Sequence, residues 1–70
     1  MNNINPSHYL RFEIPPTEYI VKNNLSFLEG NVIKYVTRHK YKGGSEDIRK
    51  AIRYLELILE YEYKEKKDNE

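Results

Sequence analysis

The sequence predicts an all-α fold, a small three-helix domain preceded by an extended N-terminal arm. Three observations carry this. Apolar residues recur at threes and fours through two long segments, helix-start signals stand before each helical stretch, and the one strand-like stretch has nothing to pair with. With 70 residues and no cysteine, the chain holds one small domain that disulfides cannot staple. Its expected organisation is an arm over residues 1–16, a helical domain over 17–63 and a polar end over 64–70.

The arm is punctuated by Asn5-Pro6 and Pro15-Pro16, which push the chain toward extended geometry. Between them Leu10, Phe12 and Ile14 alternate with Arg11 and Glu13. A lone strand implies an arm laid over the helices or a strand completed by another copy. Pro16-Thr17-Glu18 starts a short first helix, with proline in the first turn and an acid at the positive end of the dipole, and Asn23-Asn24 stops it.

Ser26-Phe27-Leu28-Glu29 has the spacing of a capping box, in which serine and glutamate satisfy each other's backbone amides. From there Leu28, Val32, Tyr35, Val36 and His39 form the buried face of a second helix reaching about residue 40. Within it Gly30 is disfavoured and predicts a close backbone approach. Gly43-Gly44 ends the segment. Ser45 is the expected cap of the third helix, followed by Glu46 and Asp47 in its first turn. Ile48, Ala51, Ile52, Leu55, Ile58 and Leu59 make its stripe, widened by Tyr54, Leu57 and Tyr61. Two shorter helices do not cover so wide a stripe, which predicts self-association. In the polar end, Glu60/Lys64 and Glu62/Lys66 offer weak i,i+4 support.

Composition excludes several function classes. Without cysteine there is no thiolate zinc site and no thiol catalysis. No apolar run approaches the ~18 residues of a membrane span, and Met1 to Asn5 lacks the basic start and apolar stretch of a signal peptide. A cytoplasmic chain with no membrane partner is expected. The net charge of +1 conceals a segregation. Residues 34–53 hold seven basic side chains against Glu46 and Asp47, whereas the remainder holds five basic and nine acidic ones. The asymmetry suits an anionic partner near the middle of the chain, and the near-neutral total disfavours a broad nucleic-acid surface.

Within the basic segment Asn31, Lys34 and Arg38 lie along one ridge of the second helix, and Lys42 follows just beyond it. Two cations and an amide at that spacing suit a phosphate: arginine binds it bidentately, lysine adds a point charge and asparagine donates or accepts. The alternative is a solvated outer face. Arg49, Lys50 and Arg53 form a second strip, partly explained by pairing with Glu46. His8-Tyr9 suits hydrogen bonding and stacking on a base, against the alternative that Tyr9 packs on the helices. His39 reads as structural, at the negative end of the second helix. Two isolated histidines make no metal site, and no cofactor motif occurs. Phosphate-loop and nucleophile signatures are missing. Glu56 and Glu60 share a face, but a magnesium site would need carboxylates on a facing helix, and the facing helix is basic.

Taken together, Asn5-Pro6-Ser7-His8-Tyr9, Pro16-Thr17-Glu18, the stretch from Phe27 to Arg38 and that from Glu46 to Leu55 resemble a small domain family of tailed bacteriophages. The family is named as a domain of unknown function, and its members are often labelled nucleotide-kinase-like. The shared pattern, Asn-Pro-x-His-Tyr, Gly-Asn-x-x-Lys-Tyr-x-x-Arg and Asp-x-x-Lys-Ala-x-x-Tyr-Leu, covers about residues 5 to 58. The resemblance draws attention to His8, Tyr9, Glu18, Asn31, Lys34, Tyr35, Arg38, Asp47, Lys50 and Tyr54. It implies a phage setting, hence the cytoplasm of an infected bacterium. Kinase-labelled members are typically longer, and phosphoryl transfer requires sites for two nucleotides and magnesium that are not evident here.

The leading expectation is therefore a phage homo-oligomer that sequesters a phosphorylated nucleotide, or a nucleotide second messenger of host defence, without catalysis. Its ligand residues would be His8, Tyr9, Asn31, Lys34, Tyr35, Arg38 and Lys42, with Tyr9 or Tyr35 stacking on a base and sites lying between subunits. The sequestering role is an analogy with small phage proteins of other folds. A deoxynucleoside-monophosphate kinase or its accessory subunit is the second expectation, and a nucleic-acid or protein interaction module the third.

Overall fold

A computed structural model describes residues 11–65. Its helices are α1 (Pro16–Lys22), α2 (Phe27–Arg38) and α3 (Gly44–Tyr63). α2 is the middle helix, packed against α1 on one side and α3 on the other.

Local chemistry sets most boundaries. Pro16 occupies the first turn of α1, where its missing N–H costs nothing, and Lys22 donates to Glu18 at 3.0 Å. The helix ends as the asparagine pair predicts. The Asn23 side chain donates to the Tyr19 carbonyl at 2.9 Å, and Asn24 takes the left-handed conformation (φ 55°). The capping box of α2 is formed in both directions, Glu29 N–H to Ser26 Oγ at 3.1 Å and Ser26 N–H to Glu29 Oε1 at 2.9 Å. α2 ends at Arg38, with His39 as its C-cap. α3 ends on left-handed Lys64 (φ 59°), with the Glu65 N–H returning to the Leu59 carbonyl. Glu60 meets Arg53 at 3.5 Å, so the support expected from Lys64 comes from the other direction.

The start of α3 differs from expectation. Ser45 is not its cap: the helix begins at Gly44, and Gly43 precedes it without any side-chain cap. The Ser45 hydroxyl accepts from Arg49 at 3.3 Å. The Asp47 carboxylate satisfies the Gly43 N–H instead, at 3.0 Å from Oδ2. The same carboxylate receives Arg38 across the turn, Nε to Oδ2 at 3.0 Å and Nη2 to Oδ1 at 3.2 Å. One carboxylate thus ties the end of α2, the turn and the first turn of α3 together, and it is 1% exposed. The two glycines serve different needs. A Cβ on Gly43 would collide with the Asp47 carboxylate, whereas Gly44 sits in open space but at φ 59°, a left-handed value that favours glycine.

The packed interior is thin. Ala51 is the one fully buried apolar side chain among the described residues, and aromatic rings join half-buried aliphatic side chains between α2 and α3. Tyr35 stacks on Tyr54 with centroids 5.9 Å apart and planes 13° off parallel, and Phe27 meets the Tyr54 edge at 6.2 Å. α1 closes on α2 at Gly30, where an added Cβ would stand 3.0 Å from Ile20 Cγ2. The approach expected of Gly30 is there. Of the arm, residues 1–10 lie outside the described residues, as do 66–70 of the polar end. Residues 11–15 form no strand. Arg11 is helical and residues 12–14 bend rather than extend, with Phe12 tilted on Tyr41 at 6.2 Å and the Arg11 guanidinium 3.8 Å from the Tyr41 centroid.

Two outcomes are expected. Gly30→Leu forces α1 away from α2 and costs about 1–3 kcal/mol, measured by urea unfolding, while Gly30→Ala costs less because Ile20 can yield. Arg38 holds the Asp47 carboxyl below the usual aspartate range, mainly through the hydrogen-bonded pair and despite burial. A lowered folded-state pKa means that the stabilisation is complete above the unfolded value of about 3.9 and is lost as pH falls through the folded one. Thermal unfolding followed by circular dichroism should therefore show a midpoint that drops in acid below about pH 4. Asp47→Asn lowers the midpoint at pH 7 and flattens that acid dependence.

Candidate functional site

A groove of about 680 Å³ opens along the α1 side of α2. Its apolar wall comes from Phe12, Pro15, Pro16, Ile20, Leu25 and Phe27, contributed by the segment before α1, α1 itself, the loop after it and the start of α2. Its polar wall is one ridge of α2 continued into the turn, with Asn31, Lys34, Thr37, Arg38, Tyr41 and Lys42. Helical spacing explains the ridge, since residues 31, 34 and 38 lie three and four apart and so share one face. No carboxylate is among the lining residues.

Each polar member has a definite environment. Asn31 donates its amide to the Phe27 carbonyl at 2.9 Å, which leaves its side-chain oxygen as an acceptor. Thr37 donates to the Ile33 carbonyl at 2.8 Å. Lys34 and Lys42 are exposed and have no carboxylate partner among the described residues. Arg38 is held firmly. Its Nε and one terminal nitrogen face Asp47, and that pairing raises its pKa against the opposing effect of desolvation. A guanidinium carries five N–H donors, so two bonds to Asp47 leave three for the groove. Arg38 is thereby an oriented cation, although its charge is largely balanced by Asp47. The lining cations without a carboxylate partner among the described residues are the two lysines, and the Arg11 guanidinium stands over the Tyr41 ring.

The groove brings together four of the seven residues expected at a ligand site: Asn31, Lys34, Arg38 and Lys42. Tyr35 is not among its lining residues. Its ring faces Tyr54, with Lys34, Arg38 and Lys50 cations 4.9–5.3 Å from its centroid. His8 and Tyr9 lie outside the described residues. Of the second basic strip, Arg49 pairs with Glu46 at 3.3 Å and Arg53 with Glu56 at 3.2 Å. The Gly43 N–H is committed to Asp47, so the double glycine is no open phosphate cradle. Sequence spacing alone does not reveal Tyr41, Phe12 or Phe27 as groove residues. Only the position of Tyr41 between Lys40 and Lys42 hints at a ring inside the basic segment. No group of three or more histidine, aspartate or glutamate side chains suitable for a metal occurs among the described residues, and no described helix is long and apolar enough to cross a membrane.

Comparison with curated proteins finds no match, and neither does comparison with solved structures. A family model described as a protein of unknown function, DUF3310, matches residues 4–56. That span covers α1, α2, the Arg38–Asp47 turn, every lining residue of the groove and α3 as far as Glu56. The chain belongs to the DUF3310 family.

Proposed function

We propose that the protein binds a phosphorylated nucleotide in the groove and holds it without transforming it. The observation that carries this reading is the meeting of Asn31, Lys34, Arg38 and Lys42 opposite an apolar wall. A nucleotide has the matching division, an anionic phosphate and a flat, weakly polar base. Lys34 and Lys42 attract the phosphate, Arg38 offers it oriented donors, and Asn31 presents an acceptor to a polar edge. Phe12, Phe27 and Tyr41 supply the aromatic surface for a base, a role that sequence spacing assigned to Tyr9 or Tyr35. Binding is favoured over phosphoryl transfer because the lining residues include no carboxylate to hold magnesium or accept a proton. In this reading the protein is a phage homo-oligomer. It acts in the cytoplasm of an infected bacterium and withdraws a nucleotide messenger of host defence.

The test is calorimetry against cyclic dinucleotides, cyclic ADP-ribose isomers and mononucleotides, with inorganic phosphate as control. At least one nucleotide should bind more tightly than phosphate. Lys34→Ala combined with Lys42→Ala should weaken that binding by more than about tenfold, as expected for losing two charged contacts. Arg38→Ala is the poorer probe, because it strands the buried Asp47 carboxylate and damages the fold. No binding by any nucleotide, or undiminished binding by the double variant, overturns the proposal. Magnesium-dependent conversion of a mononucleotide with ATP would replace it with the kinase reading.

A further inference from the structure

Ile52, Leu55 and Leu59 form a stripe along α3 that α2 leaves exposed, and half-buried Ile48 continues its line. Ile52 is 50%, Leu55 49% and Leu59 43% exposed. On α2, Val36 is also exposed. It lies nine residues from Phe27, two and a half turns, and therefore on the opposite side of α2 from the groove. We infer that this stripe is the contact surface for a second copy of the chain, its α3 packed antiparallel across a two-fold axis.

Two features point to a copy of the same chain as the occupant. The spacing along the stripe is four, three, four, which reads identically in both directions. Turned end for end, a second α3 sets Ile48 opposite Leu59 and Ile52 opposite Leu55, and by symmetry repeats both pairs. Self-complementarity of this kind is what a two-fold interface requires, and alternating three- and four-residue spacing is what a helix-to-helix seam requires. The charges agree. Arg49 and Glu56, seven residues apart, run along one flank of the stripe, so the same antiparallel register sets each near the other's counterpart. Within one chain Arg49 meets Glu46 at 3.3 Å and Glu56 meets Arg53 at 3.2 Å, both in exposed pairs. Exposed pairs are weak and are readily shared with a neighbour. A parallel copy would instead put the two Arg49–Glu56 flanks on opposite sides of the seam, where neither charge meets its counterpart. Because none of the stripe residues or their flanking charges lines the groove, the seam leaves both grooves open rather than completing a site between subunits. The inference does not depend on what the groove binds.

Sedimentation equilibrium of the full chain at micromolar concentration tests it. The expected particle has twice the 8.5 kDa chain mass. Leu55→Asp should yield the single-chain mass, with circular dichroism reporting whether helicity survives. Arg49→Glu should weaken dimerisation about tenfold, since it turns both flanking contacts repulsive, and Arg49→Glu with Glu56→Arg should restore it. A single-chain mass at every concentration overturns the inference and leaves the stripe to a different partner. So does a dimer indifferent to Arg49→Glu, or an assembly of any other size.

Discussion

The Asp47 carboxylate is the constraint on which the rest of the structure depends. It is buried, it accepts two bonds from Arg38 and one from the Gly43 backbone, and it thereby fixes how α3 leaves the turn after α2. A buried charge is tolerable only when paired and hydrogen-bonded, and here every bond spans the turn. Gly43 belongs to the same device, because any side chain there would occupy the carboxylate's position. With so little buried apolar surface elsewhere, the direction of α3 is set as much by this polar clasp as by packing. The Tyr35–Tyr54 stack then fills the space that the clasp defines.

The groove inherits its order from that clasp. Arg38 stands at the junction, presenting Asp47 with two donors and the groove with the remainder. Lys34 lies one turn before it on the same ridge, and Lys42 follows in the turn whose path Gly43 and Asp47 determine. Opposite them, α1 lies close against α2 because Gly30 leaves room for Ile20. Both walls therefore depend on contacts between residues that do not themselves face a ligand.

What was legible in the sequence is what local physics decides. The capping box at Ser26 and Glu29, the asparagine stop after α1 and the helical phase of Asn31, Lys34 and Arg38 each rest on steps of no more than four positions. The Ser45 cap failed for a related reason. Local preference favours a serine before an acidic first turn, but a tertiary partner was present: Asp47, locked by Arg38 nine positions earlier, took the Gly43 N–H that a cap arrangement leaves to solvent. Tyr35 shows the same limit. Its place beside two cations suggested stacking on a base, yet the ring it meets is Tyr54, nineteen residues away. Helical periodicity places a side chain on a face but does not say which element arrives there.

The charge segregation of the sequence has its resolution in these pairings. Of the seven basic residues between positions 34 and 53, Arg38 is matched by Asp47, Arg49 by Glu46, and Arg53 by Glu56 and Glu60. Lys50 stands near Tyr35 and contributes to keeping Asp47 ionised. Lys40 is exposed and does not line the groove, so the cations that reach the groove without a carboxylate partner among the described residues are Lys34 and Lys42. In the proposed reading, two lysines flanking one oriented guanidinium take a compact anion, on the scale of one or two phosphate groups. A polyanion would need a cationic track, and the arginines that would extend one along α3 are already engaged by acids on the same helix. Local charge excess in the sequence therefore measured the number of ion pairs in the fold as much as it measured a binding surface.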